Sequence, residues 1–326
     1  MRKKVIIVLC MLCAVLGFFT FMSAGKAFRS DWQLPAAVPE DQDSYRLVLI
    51  TQELKTPFWN QVGAGAAKQA GKEGVSLEVW GSYGNDSDEF LKQIEIALHS
   101  KVDGVVVQGL DTAEFKELTK IKAAFYGIPV ITIANDVPVA ESLRKTYVGS
   151  DHYQAGKLLA EQLVKDMGSE GQAILLSDVE QAYSQQQRMR GMDEVLRAYP
   201  GISTVLVKSG NSDEEVIEAT QNVLNQVPEA DAFIALNTNH VGTMMQEISR
   251  RAKLEPFHIY SFDDGADISA LLRQGGLDAV IGQSPEKMGQ LSVELMMKWI
   301  KNEEVPLNPD GYFTDIRILE GVRERP

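Results

Sequence analysis

From residue 46 onward the chain alternates between two periodicities. Short β-branched runs, RLVLIT, SLEVWG, DGVVVQG, PVITIAN, TYVGS, AILLSD, STVLVKS, AFIALN, HIYSFD and DAVIGQ, are separated by stretches with apolar residues at helical spacing. In DEFLKQIEIALHS, Phe90, Leu91, Ile94 and Leu98 fall at i, i+1, i+4 and i+8, and Asp86 or Ser87 stands ready to cap the helix. In DEEVIEATQNVLNQV, Val216, Ile217, Val223, Leu224 and Val227 repeat the pattern; Asp213 brings negative charge to the amino end and Pro228 follows the carboxyl end. Strands and helices in alternation predict an α/β fold of parallel sheets with helices on both faces. Ten strand candidates are too many for one comfortable core at this length, so two lobes are expected, divided near TYVGSDHYQAGK, where a strand-like run leads into a fresh helix. Element lengths on the two sides are similar, as two copies of one doubly wound unit would be.

The chain begins differently. Arg2, Lys3 and Lys4 precede an apolar run from Val5 to about Ala24, which predicts an N-terminal hydrophobic helix with the polarity of a secretory signal peptide or a signal anchor over residues 1–27. Gly25, Lys26 and Ala27 offer small residues at the two cleavage-defining positions, whereas a run of about 20 apolar residues approaches bilayer length. The length favours an uncleaved anchor, so the chain is expected outside the cytoplasm, in the periplasm or at the cell surface, with the membrane as a partner. Residues 28–44, polar and proline-bearing, read as a flexible linker. Both cysteines, Cys10 and Cys13, lie in the apolar run without the small-residue pattern of a lipoprotein signal, and the remainder has no cysteine. That excludes disulfides, a thiol nucleophile and a cysteine metal site from the exported part.

Composition narrows the partners. With 44% hydrophobic and 24% charged residues among 326, the chain suits a globular protein. Its net charge is −13, and without residues 1–27 it has 28 basic against 45 acidic residues, a net charge of −17. Such a surface repels phosphate backbones and carries no basic patch to offset this, so no nucleic acid partner is expected.

Ligands of open parallel sheets bind beyond the carboxyl ends of the strands. Residues there include Gln52, Thr56, Phe58, Trp59, Gln108, Asn135, Asp136, Asn237, Asp263 and Gln283. Most are uncharged hydrogen-bonders beside aromatic rings, a mix suited to a polyhydroxylated molecule: amides and carboxylates hold vicinal hydroxyls, and a flat ring covers the C–H face of a sugar. Phe58 and Trp59 admit a second reading, as core residues or a hydrophobic staple at a helix start. Arg188 and Arg190 are read as opening a helix, where a cation opposes the macrodipole; Arg188 is then a candidate for ligand oxygens and Arg190 for a carboxylate partner.

Enzyme signatures are thin. Gly63, Gly65 and Gly71 lie inside a helix rather than in a phosphate-cradling turn and read as close helix packing. His99, His152, His240 and His258 have no paired metal spacing, and neither a nucleophile elbow nor a P-loop is present. Met244, Met245, Met296 and Met297 read as core filling. No catalytic residue, metal or cofactor is expected. An acid/base pair of Asp136 and Asp263 in an exported carbohydrate-active enzyme is the rival reading, but nothing arranges a nucleophile or a poised base beside them.

The segments TPFW, VDGVVVQGLDTAEF, GIPVITIAND, VGSDHYQAGKLLAEQL, RMRGMDEVL, FIALNT, YSFDD and AVIGQSPEKMG occur in an order that resembles the class I periplasmic solute-binding proteins of the ribose-binding type, from about Tyr45 to Val322. The resemblance implies two Rossmann-like lobes, residues 45–149 plus 284–313 and residues 150–283 plus 314–326, joined by a three-segment hinge that closes on a ligand in the cleft. Carried over, Phe58 and Trp59 would stack on the sugar ring, Gln108, Arg188, Asn237, Asp263 and Gln283 would bond hydroxyls, and Thr56 and Gln52 would stand at the first-strand mouth. The chain departs from the pattern where Ala134, Asn135 and Asp136 replace the family's Asp-Arg, where Asn211 stands for an aromatic residue, and where Asn237 is followed by Thr238. These departures put ribose in doubt and leave a monosaccharide or sugar-like ligand, with an ABC permease or a sensor histidine kinase as the receiving partner. A lac-repressor-type regulator shares the two lobes but would need a helix-turn-helix where this chain is apolar.

Overall fold

A computed structural model describes residues 44–83, 86–179, 182–210, 212–251, 257–262 and 266–321, together with residue 11 and residues 15–20. Residue 11 and residues 15–20 are helical; the rest of the apolar run lies outside the described residues, and among the described residues no helix is long and apolar enough to cross a membrane.

The body begins with β1 (Arg46–Thr51), α1 (Pro57–Glu73), β2 (Ser76–Gly81), α2 (Ser87–His99) and β3 (Gly104–Gln108). Next come α3 (Ala113–Glu117), which runs through a π turn into α4 (Ala123–Tyr126), β4 (Val130–Ile133), α5 (Val139–Ser142) and β5 (Thr146–Gly149). The second half contains α6 (His152–Met167), β6 (Glu170–Asp178), α7 (Tyr183–Leu196), β7 (Gly201–Ser209), α8 (Asp213–Gln226), β8 (Ala232–Ala235), α9 (Val241–Arg251), β9 (His258–Phe262), α10 (Ala266–Arg273) and β10 (Ala279–Gly282). The chain ends with α11 (Pro285–Ile300), β11 (Tyr312–Phe313) and β12 (Arg317–Glu320).

Two six-stranded sheets result, ordered β11-β5-β4-β3-β1-β2 and β12-β10-β9-β8-β6-β7. Every pairing is parallel except β10 with β12. The orders of β1 to β5 and β6 to β10 are the same, so the two sheets repeat one doubly wound unit. The ten β-branched runs are the first ten strands. The helix caps follow local chemistry: Asp86 accepts from the Glu89 amide, and Ser212 and Glu215 form a capping box.

Each lobe has one helix crossing that only glycine permits. Gly65 of α1 lies against the Glu286 carbonyl and Gly289 of α11 against the Val62 carbonyl; a Cβ at either would come within 2.0 Å. In the other lobe Gly156 of α6 meets the Arg188 carbonyl and Gly191 of α7 the Tyr153 carbonyl, again at 2.0 Å. Of the three glycines read as packing residues, Gly65 has this role, whereas Gly63 faces Val79 at ordinary contact distance and Gly71 meets nothing within 4 Å. Met296 and Met297 lie in the first lobe's core and Met244 and Met245 in the second's.

Three segments cross between the sheets, after β5, after β10 and between β11 and β12. They are hydrogen-bonded to one another: Ser150 Oγ donates to Gln283 Oε1 at 2.5 Å, the Thr314 amide to the Gly149 carbonyl at 2.8 Å, and Ser284 Oγ to the Asp315 carbonyl at 2.9 Å. The parallel strands of both sheets point their carboxyl ends toward the same cleft, whose lips touch where Asn239 Nδ2 donates to Glu53 Oε1 at 2.8 Å.

Candidate functional site

In the first lobe, the ends of β1 and β3 are fastened together. Gln108 Oε1 accepts from Thr51 Oγ1 and from the Gln52 amide, each at 2.9 Å, so its side-chain NH2 is the end left to donate. Gln52 Nε2 donates to Ser87 Oγ at 3.2 Å. Thr56 caps α1, accepting from the Trp59 amide, which commits its hydroxyl to the helix. Trp59 is 4% exposed and joins the core cluster that includes Val62 and Met288. Phe58 is half-buried and stands edge-to-face with it at 5.4 Å.

After β4 the backbone makes an unusual turn. Ala134 has φ +64°, in the left-handed region a non-glycine residue enters at a cost, and its carbonyl accepts from Tyr147 Oη and from His152 Nε2, both at 2.9 Å. Asn135 follows, half-buried, with its side-chain amide making no hydrogen bond to the described residues. Asp136 has both oxygens engaged by protein: Oδ1 accepts from Thr132 Oγ1 at 2.7 Å and Oδ2 from the buried Arg144 guanidinium at 2.5 Å. Burial outweighs the Arg144 cation and holds its pKa above the ordinary carboxylate value.

In the second lobe, Arg188 lies in the second turn of α7 rather than at its start, so the dipole argument does not apply; what fixes it is burial. Its Nη1 donates to the Leu236 carbonyl at 2.6 Å, its Nε to His152 Nδ1 at 3.4 Å, and its guanidinium lies 4.2 Å over the Phe262 ring. Arg190 is exposed and bonds Gln187 rather than a carboxylate. Asn237, after β8, donates to Asp178 Oδ1 at 2.9 Å and accepts from the Asn239 amide. Gln283 belongs to the hinge through Ser150 and borders a hollow of about 410 Å³ at the start of α11, lined also by Gln61, Glu286, Gln290 and Arg317. Asp263 and Asn211 lie outside the described residues.

Of the sequence candidates, Gln52, Gln108 and Asn135 stand at strand ends of the first lobe and Asn237 at one of the second, Phe58 is half-buried beside Trp59, Arg188 is buried against His152 and Leu236, and Thr56, Trp59 and Asp136 are engaged within their own lobe. The sequence reading passed over Asp178, Gln185, Glu53 and Asn239. Asp178 carried a usable signal, since it ends the run AILLSD; Glu53 lies in a loop and Asn239 in a 3-10 turn, and only the tertiary structure reveals their meeting.

His152 links the lobes. A carbonyl can only accept and a guanidinium only donate, so Nε2 carries the proton and Nδ1 is bare. Burial, then the Arg188 cation, lowers its pKa from 6.5 to about 3. His240 is also held down by burial; its Nε2 is 3.4 Å from Asp178 Oδ1 without hydrogen-bond geometry.

Among the described residues, the group best spaced to hold a metal is Asp166, His258 and Asp278, whose ligand atoms lie within 4.8 Å of one another. It stands at the amino-terminal end of β9, away from the cleft, and its carboxylates are already bonded: Tyr260 Oη donates to Asp166 at 2.9 Å and the Ile259 amide to Asp278 at 2.8 Å. This is the pattern of a satisfied polar cap on the sheet.

Two repeated parallel-sheet lobes with a polar cleft at the facing strand ends and a three-segment hinge define a bilobal binding protein. Residues 47–304 match the periplasmic binding protein domain family, and the chain belongs to it. That membership implies an extracytoplasmic location and a binding protein rather than an enzyme. Among its relatives, the ribose import binding protein RbsB of Escherichia coli is 24% identical over 84% of this chain and 90% of its own, and RbsB of Bacillus subtilis is 23% identical over 78% and 81%. The fold is similar to that of GanP, a glucose-galactose binding protein from Geobacillus stearothermophilus, with a TM-score of 0.79 and 28% identity over 86% of this chain and 98% of that one. It also resembles a chain of the XylFII-LytSN complex, with a TM-score of 0.74 and 23% identity over 85% and 98%.

Proposed function

We propose that this protein captures a monosaccharide or sugar-like small molecule between its lobes and presents it, closed, to a membrane protein. The observation that carries this reading is the cleft itself: neutral hydrogen-bonders stand at the strand ends of both lobes, and the lips already meet through Glu53 and Asn239. Phe58 covers one face of the ring, with Trp59 fixed behind it. The Gln108 NH2, Asn135, Arg188, Asn237, Gln283 and Asp263 bond the hydroxyls; Gln52, Thr56 and Asp136 hold the first lobe's rim in place. Residues 45–149 plus 284–313 and residues 150–283 plus 314–326 move as two bodies about the hinge, and contacts to both favour the closed state.

The importing relatives support delivery to an ABC permease. The apolar run at the start supports a second output: retained as an anchor, it keeps the lobes beside a membrane sensor kinase at high effective concentration. Thermal unfolding of the full-length protein against pentoses, hexoses and polyols tests the binding reading. A sugar at about 100 times its dissociation constant adds roughly 2.7 kcal/mol and raises the midpoint by about 5 °C. No shift with any of them would overturn the reading.

A further inference from the structure

We infer that Asp178 is a ligand-binding residue of the second lobe, a carboxylate fixed in advance to accept two neighbouring hydroxyls of the sugar; the inference rests on the sugar-binding reading above. Asp178 ends β6 on the cleft side, beside Asn237. Each of its oxygens is held by one side-chain amide, Oδ2 by Gln185 Nε2 at 2.7 Å and Oδ1 by Asn237 Nδ2 at 2.9 Å. Gln185 is locked in turn, its Oε1 accepting from Ser177 Oγ at 2.8 Å and from the Asp178 amide at 3.3 Å. Asn237 is locked by the Asn239 amide at 3.0 Å, and Asn239 itself reaches Glu53 of the facing lobe. The carboxylate is thus oriented from both sides, at the corner where the lobes meet.

The half-buried Asp178 has different neighbours from those of the buried Asp136. Asp136 has a guanidinium against it, whereas Asp178 is held by amides and faces the His240 ring, whose burial favours the neutral form. Both His240 ring nitrogens are buried and make no hydrogen bond, so the ring walls the far side. With 17% of its side chain still exposed, Asp178 keeps an unused acceptor position on each oxygen. Two vicinal hydroxyls, each donating one O–H, match that pair, and hydrogen bonds to an ionised acceptor are the strong kind.

The test is calorimetric titration of the full-length protein, of Asp178→Asn and of Asp178→Ser, with the sugars that shift the parent's melting and with their monodeoxy analogues. The expected result is at least a tenfold loss of affinity in the Asn variant, together with loss of the parent's preference for the sugar over one deoxy analogue. The Ser variant is read the same way if the Asn variant does not fold. A parent that binds a sugar while both variants bind it equally well, or discriminate the deoxy analogues as the parent does, overturns the role of Asp178 alone. A parent that binds no sugar overturns the functional reading and this assignment with it.

Discussion

Lowering the pH from 7 to 5 is expected to remove about 2 kcal/mol of folding stability through His152 alone. The ring is enclosed, donates from Nε2 to the strained Ala134 carbonyl and accepts at Nδ1 from Arg188. A second proton would set an N–H against a guanidinium N–H in a buried site, which is the physical content of a pKa near 3. Between about 3 and 6.5 the unfolded chain binds a proton that the folded chain refuses, so stability falls as the pH drops below about 6.5 and levels off below about 3. The assay is urea unfolding of the full-length parent and of His152→Gln at both pH values. Glutamine has a donor for the carbonyl and an acceptor for the guanidinium, and the carboxylates and His240 titrate in both proteins, so their part cancels in the difference. The parent is expected to lose about 2 kcal/mol more than the variant on acidification. Equal losses would refute the reasoning.

Arg144→Met would strand the Asp136 carboxylate among buried groups and is expected to lower stability by about 3 to 5 kcal/mol, read from the urea midpoint. Gly289→Ala drives a methyl into the Val62 carbonyl and is expected to cost about 1 to 3 kcal/mol, whereas Gly71→Ala, in open space within the same helix pair, is expected to stabilise by up to about 1 kcal/mol; the same melt compares the two signs. Phe58→Ala is expected to weaken sugar binding by about 1 to 3 kcal/mol by calorimetry, while Trp59→Ala is expected to reduce stability by about 3 to 5 kcal/mol through its lost core.

The strands were legible because buried parallel strands read as continuous β-branched runs, and DGVVVQG or AILLSD admits little else. β11 and β12 escaped because Tyr312–Phe313 is two residues long and RILE, at a sheet edge, is only half-buried. At the candidate site, residue type pointed to Gln108, Asn135 and Asn237, and the structure places them at or just past the ends of β3, β4 and β8. Residue type could not distinguish a side chain that faces the cleft from one spent on its own lobe. The cap made by Thr56, the Arg144 partner of Asp136, eight residues away, and the core contacts of Trp59 are tertiary facts. Arg188 was legible as a residue of interest for the wrong reason: its helix starts earlier than the dipole argument assumed, at Tyr183.

The most direct test of capture between two lobes is amide hydrogen exchange of the full-length protein, with and without the sugar that raises its melting temperature. Closure around a ligand predicts slowed exchange on both lips at once, near Gln52 and Asn135 in one lobe and near Asp178 and Asn237 in the other, with the hinge segments changed as well. Slowing confined to one lobe, or to a site away from these strand ends, would contradict the account.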